Sequence, residues 1–217
     1  MNNLMILGAS GNALDILDII DSINDRAVTD SERWQVDGLL DDRLPEGSLW
    51  QGLLVRGALS LANAIEDRQF IMAIGSDKSY RSLPALVNAT GIGAHQWATL
   101  IHSGAAVSRS AKIGKGVYIQ FGSSIAGLVH LEDHVKIAAN ATIGHETRIG
   151  WGTIVAPGVI ISGGVVVHRN VYIGAGAVIR QGLEIGEGSL IGMGAVVVKD
   201  VPAHSIVAGN PARNLYE

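Results

Sequence analysis

Cysteine is absent from the 217 residues. There is therefore no disulfide, no thiolate nucleophile and no cysteine-based metal site. Positive charge is scarce as well: 16 Lys and Arg stand against 20 Asp and Glu, a formal net charge of −4. With no basic run anywhere, that balance speaks against nucleic acid and against an anionic membrane surface as partners. Long hydrophobic runs are also missing. The least charged stretch, residues 151–167, is broken by Gly152, Pro157, Gly158, Gly163 and Gly164, so it is not a membrane span. Met1 is followed by Asn2 and Asn3 with no basic segment, so no signal peptide is expected and the expected location is the cytoplasm.

What the chain has instead is a period of six. Every sixth residue from Ile101 through Val197 is Ile, Val or Leu, seventeen positions without an insertion. A fixed internal repeat is read before anything else, because it dictates the fold. Six is even, which suits strand alternation and not the 3.6-residue turn of a helix. The residue two before each aliphatic is small or β-branched, as at Ala105, Ala111, Val117, Ser123, Val129, Val135 and Ala141. Each hexapeptide thus sends one large and one small residue inward. Glycine often follows the large one, as at Gly114, Gly144, Gly150, Gly174, Gly186 and Gly192, where a corner is needed. One such unit buries nothing alone, but stacked units share a continuous core.

The stretch closely resembles the left-handed parallel β-helix of hexapeptide-repeat acyltransferases. That resemblance implies three hexapeptides per coil of a triangular prism, and nearly six coils here. It also supplies the left-handedness, which breaks the usual crossover rule. Outward residues then recur every 18 positions in three columns. The first is Leu100, Tyr118, Lys136, Ile154, Tyr172 and Leu190; the second Ala106, Ser124, Thr142, Ile160, Val178 and Val196; the third Lys112, His130, Arg148, Val166 and Glu184. The third column is charged and faces water. The first two turn apolar toward the C-terminal coils, as does the corner between them, which implies a partner surface. A homotrimer is the family's usual solution, and an apolar ligand groove is the rival reading.

Upstream of the repeat the pattern changes. Residues 4–7 form an apolar strand that runs into Gly8-Ala9-Ser10-Gly11 and then a helix with apolar positions Ala13, Leu14, Leu17 and Ile20. Further strands are expected at 36–40, ending in Asp41-Asp42, and at 70–74, ending in Gly75, with helices at 58–64 and 80–89. This β-α-β-α-β order predicts a parallel sheet, whose ligands gather at the carboxyl ends of strands. Three loops at one such edge, Gly8–Asn12, Asp41-Asp42 and Gly75, point to a binding site. The expected architecture is a Rossmann-like α/β domain over residues 1–95 and a β-helix with a C-terminal cap over 96–217.

These motifs, followed by Ile101-His102-Ser103, occur in the order seen in nucleotide-sugar N-acetyltransferases of the bacillosamine/perosamine type and in the related sialic acid O-acetyltransferases. The resemblance implies that Ser10, Gly11, Asn12, Asp41, Asp42 and Gly75 lie near a nucleotide-linked amino sugar. Asn12 stands where family members commonly carry His. The closing segment, residues 200–213, matches that of hexapeptide acyltransferases and implies acetyl-CoA as co-substrate. Matching positions put Ile154, Ala175 and Met193 beside it. Gly174, Gly192 and Gly194 would leave room for its pantetheine arm, and Arg180, Lys199 and Arg213 are candidates for its phosphates.

Of the seven histidines, His145 is singled out. It lies at a prism corner with Gly127 and Gly163 as coil neighbours, and Glu146 follows it. Spacing alone reads it as a solvated corner residue; the family's His-acid motif makes it the general base, with Glu146 assisting. His130 and His134 lack a third partner for a γ-carbonic-anhydrase-type metal site, since positions 148 and 152 are Arg148 and Gly152; no metal is expected. His95 and His102 read as loop residues, and His168 and His204, without acidic neighbours in sequence, as surface. The leading expectation is an acetyltransferase that transfers acetyl from acetyl-CoA to a sugar amine by direct attack in a ternary complex. A sialic-acid-type O-acetyltransferase and a non-catalytic nucleotide-sugar-binding trimer are the alternatives.

Overall fold

The computed structural model describes residues 1–215. The N-terminal sheet has strand β1 (Asn2–Leu7) at its centre, parallel to β2 (Trp34–Leu40) on one side. A short hairpin, β3 (Leu49–Trp50) and β4 (Leu53–Leu54), leads to β5 (Gln69–Met72), parallel to β1 on its other side. Helix α1 (Gly11–Asn24) follows β1 directly and buries Ala13, Ile16, Ile19 and Ile20. Leu14 is exposed, because the buried stripe runs through 13, 16 and 20, at helical spacing, and position 14 falls off its edge. The segment expected as a helix at 58–64 is a 3₁₀ turn, Leu59–Ala64. The segment 80–89 divides into a 3₁₀ turn, Tyr80–Ser82, and helix α2 (Leu83–Ala89), whose Pro84 sits in the first turn, where a missing N–H costs nothing.

From Leu100 the chain winds through two-residue strands at six-residue intervals to Val196–Val197. They stack into three parallel sheets, with partners 18 residues apart, such as Lys136 with Tyr118 and Ile154. The inward aliphatics, from Val117 to Val207, form one continuous dry core. Ile206–Ala208 adds to the first face beside Leu190–Ile191, and Arg213–Asn214 returns antiparallel to it, closing the end of the core. Among the described residues no helix is long and apolar enough to cross a membrane.

The three faces meet different fates. The third carries Lys112, His130, Arg148, Val166 and Glu184, all exposed. The first, expected to be part of a partner surface, is covered by the chain's own N-terminal domain. Tyr118, Lys136 and Ile154 are buried there, and Leu100 and Tyr118 share a core cluster with β1 and α1. Polar contacts complete the seam: Gln120 donates to Asp15, and the Tyr80 hydroxyl and Arg81 Nε both donate to the Gly188 carbonyl. The sequence period cannot show this, because the apolar side chains that cover the face come from β1 and α1, far from it in the chain. The second face stays open. Ile160 is 44 % exposed, and on the adjoining corner Phe121 and Met193 are 58 % and 80 % exposed.

Candidate active site

The carboxyl ends of β1, β2 and β5 converge on a cavity of about 410 Å³, lined among others by Ser10, Asp41, Asp42, Arg43, Gly75 and Ser76. Four of the six residues expected there line it. Gly11 opens α1 beside it, and Asn12 is turned to structural use, its amide donating to the carbonyls of Ala73 and Gly75. Ser10 Oγ likewise donates to Ala73 O. The two side chains fasten the β1 and β5 loops to each other.

Asp41 is not a free ligand group. It is 3 % exposed, and its carboxylate accepts from the Ala9 amide at 2.7 Å, the Arg43 amide at 2.8 Å and the Arg43 guanidinium at 3.2 and 3.0 Å. Burial raises its pKa, but these bonds and the Arg43 charge outweigh it and hold the carboxyl below the ordinary range. What Asp41 presents to the cavity is Arg43. That guanidinium also donates to Ala9 O at 2.8 Å, while its side chain is 71 % exposed. A cation fixed on two sides and open on a third is suited to an anionic or carbonyl group. Sequence reasoning missed Arg43; its only signal is its place just after Asp41-Asp42.

His145 stands elsewhere. It follows Thr142–Ile143 of the second face and precedes Arg148–Ile149 of the third, so its corner is the one that does not border the first face. Its Nδ1 lies 3.0 Å from Glu146 Oε2, and both side chains are mostly exposed. Glu146 has φ of 59°, a left-handed corner that turns its carboxylate back beside the imidazole. The ring lies across Gly163 of the next coil, where a Cβ would come within 2.7 Å of Cε1 and Nε2. Gly163→Ala is thus expected to push the imidazole off its seat while leaving the coil folded. Thermal unfolding should show an unchanged melting temperature, with the imidazole displaced in a crystal structure of the variant.

One chain therefore holds the cavity on one side of the prism and the His145–Glu146 pair on the opposite corner. The residues expected around acetyl-CoA divide too. Ala175 and Met193 lie on the open corner between the first and second faces, whereas Ile154 is buried in the domain seam against Gly75. Gly174 and Gly192 are required by the coil itself: a Cβ on Gly174 would meet Met193 N at 2.7 Å, and one on Gly192 would meet Ala208 Cβ at 2.8 Å. Of these three glycines, Gly194 alone has open space around it.

Of the other histidines, His130 and His204 are exposed. His168 has no acidic neighbour in sequence and lies at the surface, where the next coil places Glu184 Oε1 at 2.5 Å from its Nε2. His134 is packed edge-on between Trp97 and Trp151, centroids 4.6 and 5.0 Å away, and burial lowers its pKa to about 4, so it is neutral. Among the described residues no group of three or more Asp, Glu or His is arranged to hold a metal ion.

The stacked six-residue coils, with a small α/β domain packed on one face, define a hexapeptide-repeat protein. Residues 3–83 match the PglD N-terminal domain family, and residues 129–163 and 164–199 the bacterial transferase hexapeptide (six repeats). The chain thus joins a PglD-type N-terminal domain to transferase hexapeptide repeats, and it is similar to hexapeptide-repeat nucleotide-sugar N-acetyltransferases. A curated relative, UDP-N-acetylbacillosamine N-acetyltransferase of Bacillus subtilis, is 29 % identical over 122 residues, 55 % of this chain; the match spans about half, 51 %, of that relative's length. Among solved structures, the acetyltransferase domain of PglB from Neisseria gonorrhoeae in complex with acetyl coenzyme A is 29 % identical. It has a TM-score of 0.84 and covers 99 % of this chain and 100 % of that one. PerB from Caulobacter crescentus, in complex with CoA and GDP-perosamine, shares the fold at a TM-score of 0.82 and 24 % identity, over 99 % of this chain and 97 % of that one.

Proposed function

We propose that this chain is an acetyl-CoA-dependent N-acetyltransferase acting on the amino group of a nucleotide-linked amino sugar, with His145 as general base. The observation that carries the reading is the His145–Glu146 pair, 3.0 Å apart on a corner kept clear by Gly163. Glu146 engages Nδ1 and leaves Nε2 as the atom that meets the substrate. The amine nitrogen attacks the thioester carbonyl and becomes cationic. His145 Nε2 takes its proton as the carbon–nitrogen bond forms. The carbon–sulfur bond then breaks, and the imidazolium returns the proton to the leaving thiolate of coenzyme A. No acyl-thioenzyme is available to a chain without cysteine, and in this reading transfer is direct, with both substrates bound together.

The nucleotide portion belongs in the strand-end cavity, with Arg43 and the Ser10 loop around it. Because that cavity and His145 lie on opposite sides of one prism, a complete site takes His145 from a second copy. The open second face, with Ile160, Val178 and the Met193 corner, is the surface on which copies pack, and a homotrimer with parallel prisms is the assembly we propose. Acetyl-CoA then lies along the Ala175–Met193 edge.

Arg43→Ala should raise the sugar-nucleotide KM about tenfold, the scale of one charge-assisted hydrogen bond, and leave the acetyl-CoA KM unchanged. Asp41→Ala, which releases both Arg43 and the Ala9 amide, should cost at least as much. Unchanged sugar KM in both variants would remove the nucleotide from this cavity.

A further inference from the structure

Among the described residues Lys136 is the most deeply buried charged one, 1 % exposed, on the first face of the prism. Its Nζ donates to the carbonyl of Ile74 and lies 5.9 Å from the Tyr118 ring centroid. Gly75, next in that loop, has no room for a side chain: a Cβ there would be 2.6 Å from Lys136 Nζ and 3.0 Å from Ile154 Cδ1. Gly75 and Ile74 both line the strand-end cavity. The same short segment therefore touches the ammonium on one side and the cavity on the other.

Among the described residues no carboxylate pairs with the Lys136 ammonium; Asp77, two residues past Gly75, acts on Tyr172 instead. Its coil neighbours are Tyr118 and Ile154, with Tyr172 one coil further. Tyr118 stays a neutral phenol, since burial first and the Asp15 charge second raise its pKa. Asp15, from α1, is engaged by Gln120, and burial raises its pKa above the ordinary carboxylate value. His134 is neutral, and Asp41 in the neighbouring loop is neutralised by Arg43. A buried ammonium without a carboxylate is costly, and burial pushes the Lys136 pKa down to about 7.

We propose that Lys136 is a positioning residue of the nucleotide cavity: it holds the Ile74–Gly75 arm from the prism side, and the diphosphate of a bound sugar nucleotide is its missing counter-charge, so that binding takes up a proton. The inference rests on the nucleotide-sugar reading of that cavity. The sign follows from linkage. An anion beside the amine favours its charged form, so the bound state keeps the proton to higher pH than the free state. Below about pH 7 the amine is already charged and affinity is flat; above it, affinity falls by up to ~10-fold per pH unit until the bound form also titrates.

The test is calorimetric titration of the full chain with UDP-, dTDP- and GDP-glucose at pH 8, in phosphate and in Tris, whose ionisation heats differ. Wild type should bind one of the three nucleotides with uptake approaching ~1 proton. Lys136→Met, an apolar replacement of similar length, should fold, lose the uptake and bind that nucleotide with no slope between pH 6.5 and 8.5. Its sugar-nucleotide KM should rise at pH 6.5 while kcat and the acetyl-CoA KM hold. Binding by wild type without buffer-dependent heat, or uptake retained in Lys136→Met, overturns the inference and leaves the proposed function standing. The wild-type buffer series decides the point even where the variant does not fold. Failure of wild type to bind any of the three overturns the nucleotide reading and this inference with it.

Discussion

His145→Ala is expected to lower kcat/KM by at least ~100-fold, about 2.7 kcal/mol of transition-state stabilisation, the low end of what general-base catalysis contributes. The loss should appear in kcat. His145 is an exposed corner residue outside the hydrophobic core, so the fold, nucleotide binding and coenzyme A binding survive its removal. Glu146→Gln keeps a side chain of the same shape beside Nδ1 but removes the charge that favours the imidazolium. It should cost less in kcat than His145→Ala, because the base itself is still in place. Activity of His145→Ala within a few-fold of wild type across pH would return the residue to a solvated corner histidine.

Ile160→Asp combined with Val178→Asp is expected to dissociate the assembly and abolish turnover together. Both residues lie on the uncovered second face, one coil apart and paired in register. Burying a large aliphatic side chain contributes roughly 1.5–3 kcal/mol, whereas an unpaired carboxylate in the same place costs several. Repeated in every copy, that reversal exceeds what an interface of this kind can absorb. Light scattering should give the native mass of three chains for wild type and of one for the double variant. Because the proposed site is shared, mixing His145→Ala chains with Arg43→Ala chains should also give more activity, at sugar-nucleotide concentrations below the wild-type KM, than the two variants give when assayed apart. A fully active monomer would overturn the shared-site account.

The prism was legible in the sequence because its rule is strictly local. Each hexapeptide repeats the same inward pair and corner, and the six-residue period alone assigns Ile101 to Val197 to one core. The site was legible in pieces. Gly8–Asn12, Asp41-Asp42 and Gly75 announce a strand-end cavity, but which atoms face it depends on side-chain partners far apart in the chain. Asp41 reads as a ligand until the Ala9 amide and Arg43 are seen to occupy it. Lys136 reads as one more outward lysine until the Ile74 carbonyl is found against it. The first face reads as a partner surface because periodicity cannot say that another domain of the same chain covers it. His134 gives no sign of burial in sequence, since Trp97 and Trp151 reach it from different parts of the chain.

The central claim is acyl transfer to a nucleotide-linked amine, and its most direct measurement is an assay of the purified chain with acetyl-CoA over a panel of UDP-, dTDP- and GDP-linked amino sugars. Release of coenzyme A thiol is followed in time, and the product is identified by mass. The account predicts that one nucleotide class is acetylated at its amine, with thiol released in equal amount and both lost in His145→Ala. Tight binding of a sugar nucleotide with no thiol release from acetyl-CoA across the whole panel would contradict it, and would make the chain a binding protein on a transferase fold.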